Sequence, residues 1–126
     1  MQNTIALGLA ALIAVGVLGI GSFYLVAPER ISPSFGLNPP ASDPDTRAWL
    51  RLKGIRDAAL GLLVLTLILT ADRRLVGIAL LVAAIVPLGD MSIILASGGS
   101  KSRAFSVHGV TCAVLVAVGL SLIRVL

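Results

Sequence analysis

One apolar run in this chain is too short for the membrane it belongs in. From Ala58 to Thr70 there are 13 consecutive uncharged residues, about 20 Å of helix at 1.5 Å per residue. The hydrocarbon core of a bilayer is about 30 Å thick. The preceding segment, "RAWLRLKGIRD" at 47–57, is rich in charge. A helix crossing here must carry part of that charge to membrane depth, unless the bilayer thins.

The rest of the chain makes lipid its solvent. Ile5–Val26 is a 22-residue run without a charge, and only 13% of all residues are charged against 57% hydrophobic. A soluble domain carries about a quarter charged residues. Hydrophobic runs and their breaks predict four helices, at about 4–26, 48–70, 75–97 and 103–123. "ADRR" (71–74) and "GGSKS" (98–102) are tight turns between antiparallel neighbours. The expected fold is all-α: an integral membrane four-helix antiparallel bundle forming a single domain over 1–126. "MQNT" at 1–4 has no Lys or Arg, and the run after it exceeds a signal-peptide core, so the first helix reads as retained. The net charge of +4 comes with no basic stripe or aromatic platform. Nucleic acid is therefore excluded as a partner, and the cations are assigned to the flanks of membrane spans. Cys112 is the sole cysteine and has no disulfide partner within the chain.

The first connection, "APERISPSFGLNPPASDPDTR" (27–47), holds five of the six prolines. That density argues against regular helix, and Asp45 or Thr46 is the expected cap of the next one. A loop this long is commonly functional or disordered, and the preferred expectation is a loop folded back over the helix ends. Small residues recur at four-residue spacing, Ala6, Ala10 and Ala14 on the first helix and Gly109, Ala113, Ala117 and Ser121 on the fourth. Such faces let helices approach closely in lipid. The internal bundle is their preferred use, and a homo-oligomer contact the alternative.

Depth brings the ionisable residues together. With Ala71 at the far interface, Asp57 sits about 21 Å along the second helix. Asp90 lies about 22 Å along the third helix from Leu75, and His108 about 24 Å back along the fourth from Arg124. All three fall in one leaflet, on the side of the proline-rich loop. Lys53, Arg56 and Asp57 share an arc of about 100°, with Arg51 nearly opposite. Arg51 and Trp49 suit interface anchors, and Lys53 is shallow enough to snorkel.

These depths and angles give a candidate ligand-binding set: Lys53, Arg56, Asp57, Asp90 and His108, with Glu29 and Arg30 at the loop entrance. Intramembrane charges are costly and are normally turned inward and paired. Arg56 suits an anionic or carbonyl group, and His108 suits proton exchange. His108, Asp90 and Asp57 are the candidates if any catalysis occurs. Each residue also has a structural explanation. Arg56 with Asp57 or Asp90 would fix helix register, Asp90 with Ser92 would organise the kink after Pro87, and His108 would be a core histidine bonded to Asp90. Cys112, one turn from His108, reads as packing. One His, one Cys and two Asp have no recognised ligand spacing, so no metal is expected. A polar pocket in a lipid-level wall suits an amphipathic molecule such as a quinone, sterol, terpenoid or lipid.

"KGIRDAALGLLVL" (53–65) and "PLGDMSIIL" (87–95), joined by the short-turn hairpin, resemble a family of short four-span bacterial and fungal membrane proteins, a domain of unknown function. There is a broader likeness to DoxX-like proteins. That likeness implies a quinone-linked or redox-partner role, which the single cysteine and the proline-rich loop do not match. Three functions stay open: a small-molecule binding protein or enzyme, a structural or accessory subunit with charges setting registry, and a proton-coupled transporter acting as an oligomer. Arg30, Arg47, Arg51, Lys101 and Arg103 flank the loop side, against Arg73, Arg74 and Arg124 opposite. The excess predicts a cytoplasmic loop and pocket, with both termini outside, in a bacterial inner membrane.

Overall fold

The computed structural model describes residues 2–123. Arg124, the end point for the depth of His108 and one of the opposite-side cations, lies outside them. The regular structure of the described residues is all helical, without strands. Three helices are long and apolar enough to cross a membrane: Thr4–Val26, Arg73–Ala96 and Lys101–Leu122, with mean hydropathies of 2.3, 2.4 and 1.9. Their outward surface matches lipid, since Leu12, Ile85 and Val110 are all more than half exposed. The chain is a small membrane protein.

Helix α1 spans Gln2–Val26. A short helical turn, α2 (Pro28–Ile31), and a 3₁₀ turn (Ser32–Phe35) come next. Here the structure corrects the expectation of a loop without regular helix. Each of these turns has a proline at its start, where a missing N–H costs nothing. Helix α3 spans Pro44–Thr70, beginning four residues before the predicted start. Its cap is Asp43, not Asp45 or Thr46. The Asp43 carboxylate accepts from the Thr46 backbone N–H at 3.0 Å and from its hydroxyl at 2.6 Å, and Pro44 takes the first helical position.

Helices α4 (Arg73–Ala83) and α5 (Ile85–Ala96) form one apolar rod interrupted at Ala84. Pro87 has no N–H to offer the Ala83 carbonyl, which accounts for the break. After a turn at Gly98–Gly99 comes α6 (Lys101–Arg103), capped by the Ser100 hydroxyl. Helix α6 continues through a turn of π-helix (Ala104–Gly109) into α7 (Val110–Leu122).

The helices pack chiefly in two pairs, α1 with α3 and α4 with α7. Glycine makes both contacts close. A Cβ at Gly54 would lie 2.7 Å from the Gly21 carbonyl, and one at Gly61 would lie 2.6 Å from the Ala14 carbonyl. A Cβ at Gly77 would lie 2.7 Å from the Gly119 carbonyl. The pairs join through α1 against α7 and α3 against α4, around Ala10, Val64, Leu80 and Leu115.

Ala6, Ala10 and Ala14 face this core, as expected of an internal small-residue face. The corresponding face of the last helix does not: Ala113 and Ala117 are exposed, and Leu115, Val118 and Gly119 are buried instead. The π turn adds a residue to the helical repeat and so rotates α7 about its own axis.

The proline-rich loop is folded back. Its Gly36 carbonyl accepts from the Ser100 N–H at 2.7 Å, and the Arg103 guanidinium donates to the Pro33 carbonyl. Gly36 has φ of 114°, a conformation that costs a residue with a side chain dearly.

Candidate functional site

Helix α3 presents three different faces. At 100° per residue, Gly54, Ala58 and Gly61 form the one that meets α1. Lys53, Asp57, Leu60 and Val64 form the next, and Trp49, Leu52 and Arg56 lie beyond it. The middle face borders a cavity of about 180 Å³ between the two helix pairs. One end is polar, with Lys53, Asp57, Asp90 and His108 around it, Tyr24 in its wall and Ser34 and Phe35 of the loop beside it. The other end is apolar, lined by Ala10, Ala14, Val64, Leu80 and Leu115. From Asp57 to Val64, and from His108 to Leu115, the shaft runs about 10 Å along each helix.

The charges of the polar end are paired within each helix pair. Lys53 Nζ lies 2.5 Å from Asp57 Oδ2, one turn along α3. The ammonium also stands 4.7 Å from the Tyr24 ring centre and 4.8 Å from that of Phe35, in cation–π range. His108 Nδ1 is 3.5 Å from Asp90 Oδ2, and its Nε2 is 3.0 Å from the Phe35 carbonyl. A carbonyl only accepts, so Nε2 carries a proton. Nδ1 therefore faces a carboxylate oxygen, and two bare acceptors there would repel. A proton between them, on the imidazole or on the carboxyl, makes the pair neutral. The Phe35 ring meets the His108 ring edge-on, with centres 4.7 Å apart, and so stands between the two pairs. The π turn positions the imidazole, which is buried at 7% exposure. It also sets Thr111 rather than Cys112 on the cavity wall one turn later.

Four of the five residues expected to bind a ligand thus share the cavity, and Arg56 does not. It is exposed, on a recess outside α3 together with Trp49 and Leu52. Neither does Lys53 snorkel: it turns inward to Asp57 and the two rings. Glu29 and Arg30 do not line the cavity and are exposed. Glu29 closes the loop on itself, accepting from Arg47 at 2.7 Å and from the Ser42 hydroxyl at 2.9 Å. Those two contacts hold its carboxyl below the usual range, the Arg47 hydrogen bond most strongly. Arg51, exposed at the end of α1, donates to the Leu25 carbonyl at 3.2 Å. Ser92 bonds to the Leu88 carbonyl on the exposed side, away from Asp90. Among the described residues no group of three His, Cys, Asp or Glu side chains forms a metal site.

Sequence reasoning missed Tyr24 and Phe35. Both sit in apolar or proline-rich surroundings with no local signal of a site. Tyr24 could have been suspected from its place on the helix end facing the loop, because a buried tyrosine brings a polar tip with it.

The family model for a domain of unknown function, DUF4267, matches residues 14–122, which include every residue of the polar end. The chain belongs to this family. No curated protein and no solved structure matches it. The DUF4267 match thus extends from the middle of α1 to the end of α7 and takes in the proline-rich loop.

Proposed function

We propose that this DUF4267 chain is a four-helix antiparallel membrane bundle that binds a small amphipathic molecule within one leaflet. One observation carries this: a single cavity with Lys53, Asp57, Asp90 and His108 at one end and only apolar side chains at the other. A ligand would place its head among the ionisable groups and its tail along Val64, Leu80 and Leu115. The charge on α3 that makes the helix too polar to span alone is then the wall of the site. The loop-side cations favour a cytoplasmic pocket in a bacterial inner membrane, with the termini outside. The exposed face of Ala113 and Ala117 would suit a second copy of the chain.

Mass spectrometry of protein purified in lipid nanodiscs tests the binding. The wild type is expected to carry an amphiphile that His108→Ala and Asp90→Asn lose, while both variants stay monodisperse. Retained occupancy in both variants would sink the proposal. A structural subunit is the second reading, favoured because His108 ties α5, the last helix and the loop together. It predicts aggregation of the same variants instead. The proton-coupled transporter has less support, since the inner end of the cavity offers a proton no polar group.

A further inference from the structure

Resting on that binding site, we infer both the class of its ligand and its route: an uncharged amphiphile with a hydroxyl head, arriving sideways from the lipid between α3 and α5. The charge of the polar end carries the first part. Lys53 and Asp57 neutralise each other. His108 Nδ1 faces Asp90 Oδ2 at 3.5 Å, and with one proton between them beyond the one given to Phe35 that pair is neutral whichever partner holds it. An ionic head would bring a charge with no counter-charge into a low-dielectric site. The same pairs leave hydrogen-bonding capacity over. The ion pairs use Oδ2 of Asp57 and Oδ2 of Asp90, leaving each Oδ1 to accept, while the Lys53 ammonium has further N–H groups to donate. A hydroxyl donates to the first kind and accepts from the second, whereas a ketone or ester only accepts.

The packing supplies the route. Helix α3 rests against α4, but α5, beyond the break at Ala84, makes no comparable contact with it. The outer recess beside α3 and the cavity share Lys53, Asp57, Leu60, Val86 and Asp90. Leu60 and Val86 stand where the two spaces meet, and Val86 is 44% exposed. A lipid-dissolved molecule can pass there without crossing water.

Photo-crosslinking in phosphatidylcholine nanodiscs tests both parts. The probes are hexadecanol, hexadecanoic acid, hexadecylamine and a methyl ketone of equal length, each with a diazirine in the tail. The alcohol is expected to label Val64, Leu80 or Leu115 at least about tenfold more than the others, equivalent to about 1.4 kcal/mol. Equal or stronger labelling by the acid or amine overturns the neutral-head assignment, and equal labelling by the ketone overturns the hydroxyl. Asp57→Asn keeps the side-chain volume but frees the Lys53 charge, so the acid should overtake the alcohol. An unchanged order counts against the proposal. If no probe labels the cavity, the binding function fails together with it; a wrong order among labelling probes leaves binding intact. For the route, Leu60→Trp should slow labelling and Leu60→Ala should speed it, with Val116→Trp on the outer surface of α7 as control. Rates that ignore both changes at Leu60 overturn lateral passage.

Discussion

Phe35 has the most to do for its size. Its ring touches the Lys53 ammonium on one side and the His108 imidazole on the other, and its carbonyl fixes the tautomer of that imidazole. Phe35→Ala removes the ring contacts and keeps the backbone bond. Ring interactions of this kind are worth about 1–2 kcal/mol when sheltered from water, so a bound amphiphile should be held about five- to thirty-fold less tightly. Competition against the labelled alcohol in nanodiscs checks this, and unchanged affinity would mean the loop is no part of the site. Glu29 gives a residue-scale dependence on pH. Its carboxyl, held below its ordinary value of 4.5 by Arg47 and Ser42, stabilises the folded loop fully above that ordinary value. The contribution is lost as pH falls through the lower, folded value. Acidification below 4.5 should therefore raise hydrogen exchange at 41–47, and Glu29→Gln should show the faster exchange already at neutral pH. A loop whose exchange ignores both changes would not be closed by this contact.

At the scale of elements, what was legible in the sequence is what lipid enforces. The apolar runs give the helices, because a bilayer demands about 20 residues, and the shortfall after Ala58 brings Asp57 to the depth of Asp90 and His108. Direction around the helix was not legible to the same degree. Lys53, Arg56 and Asp57 share one arc, yet Arg56 points about 70° away from the cavity direction, because Gly54, Ala58 and Gly61 turn α3 onto α1. Those glycines read as ordinary membrane-helix residues until their partners Gly21 and Ala14 are known. The π turn carries no sequence mark, and it exchanges Thr111 for Cys112 on the wall. The contacts of Pro33, Phe35 and Gly36 with residues about 70 positions away arise from tertiary packing, which local sequence does not encode. The glycine contacts predict unequal costs. Gly54→Ala drives a methyl into the backbone of α1 and should destabilise by about 1–3 kcal/mol, whereas at Gly16 nothing lies within 4 Å and Gly16→Ala should be neutral or stabilising. Unfolding in mixed detergent measures both, and equal effects would contradict the close α1–α3 crossing.

Across the whole molecule, the separation of charge is as informative as its presence. Lys53 and Asp57 belong to the α1–α3 pair, and Asp90 and His108 belong to the α5–α7 side. Among the described residues no ion pair joins the two. The halves are held instead by apolar contact near Ala10, Val64, Leu80 and Leu115, and at the other end by Phe35 together with the hydrogen bonds from Ser100 and Arg103 to the Gly36 and Pro33 carbonyls. They can therefore part beside Leu60 and Val86 without exposing an unpaired charge, which an ion pair across the gap would forbid. This predicts that access depends on relative movement of the halves. Leu60→Cys with Val86→Cys, in a Cys112→Ser background, allows a reducible bismaleimide to tether them. Tethering after loading with the labelled alcohol should slow its release at least about tenfold, a barrier increase of about 1.4 kcal/mol, and reduction of the tether should restore the original rate. Release at the untethered rate would show that the molecule leaves by another path and that the gap between α3 and α5 is only a surface groove.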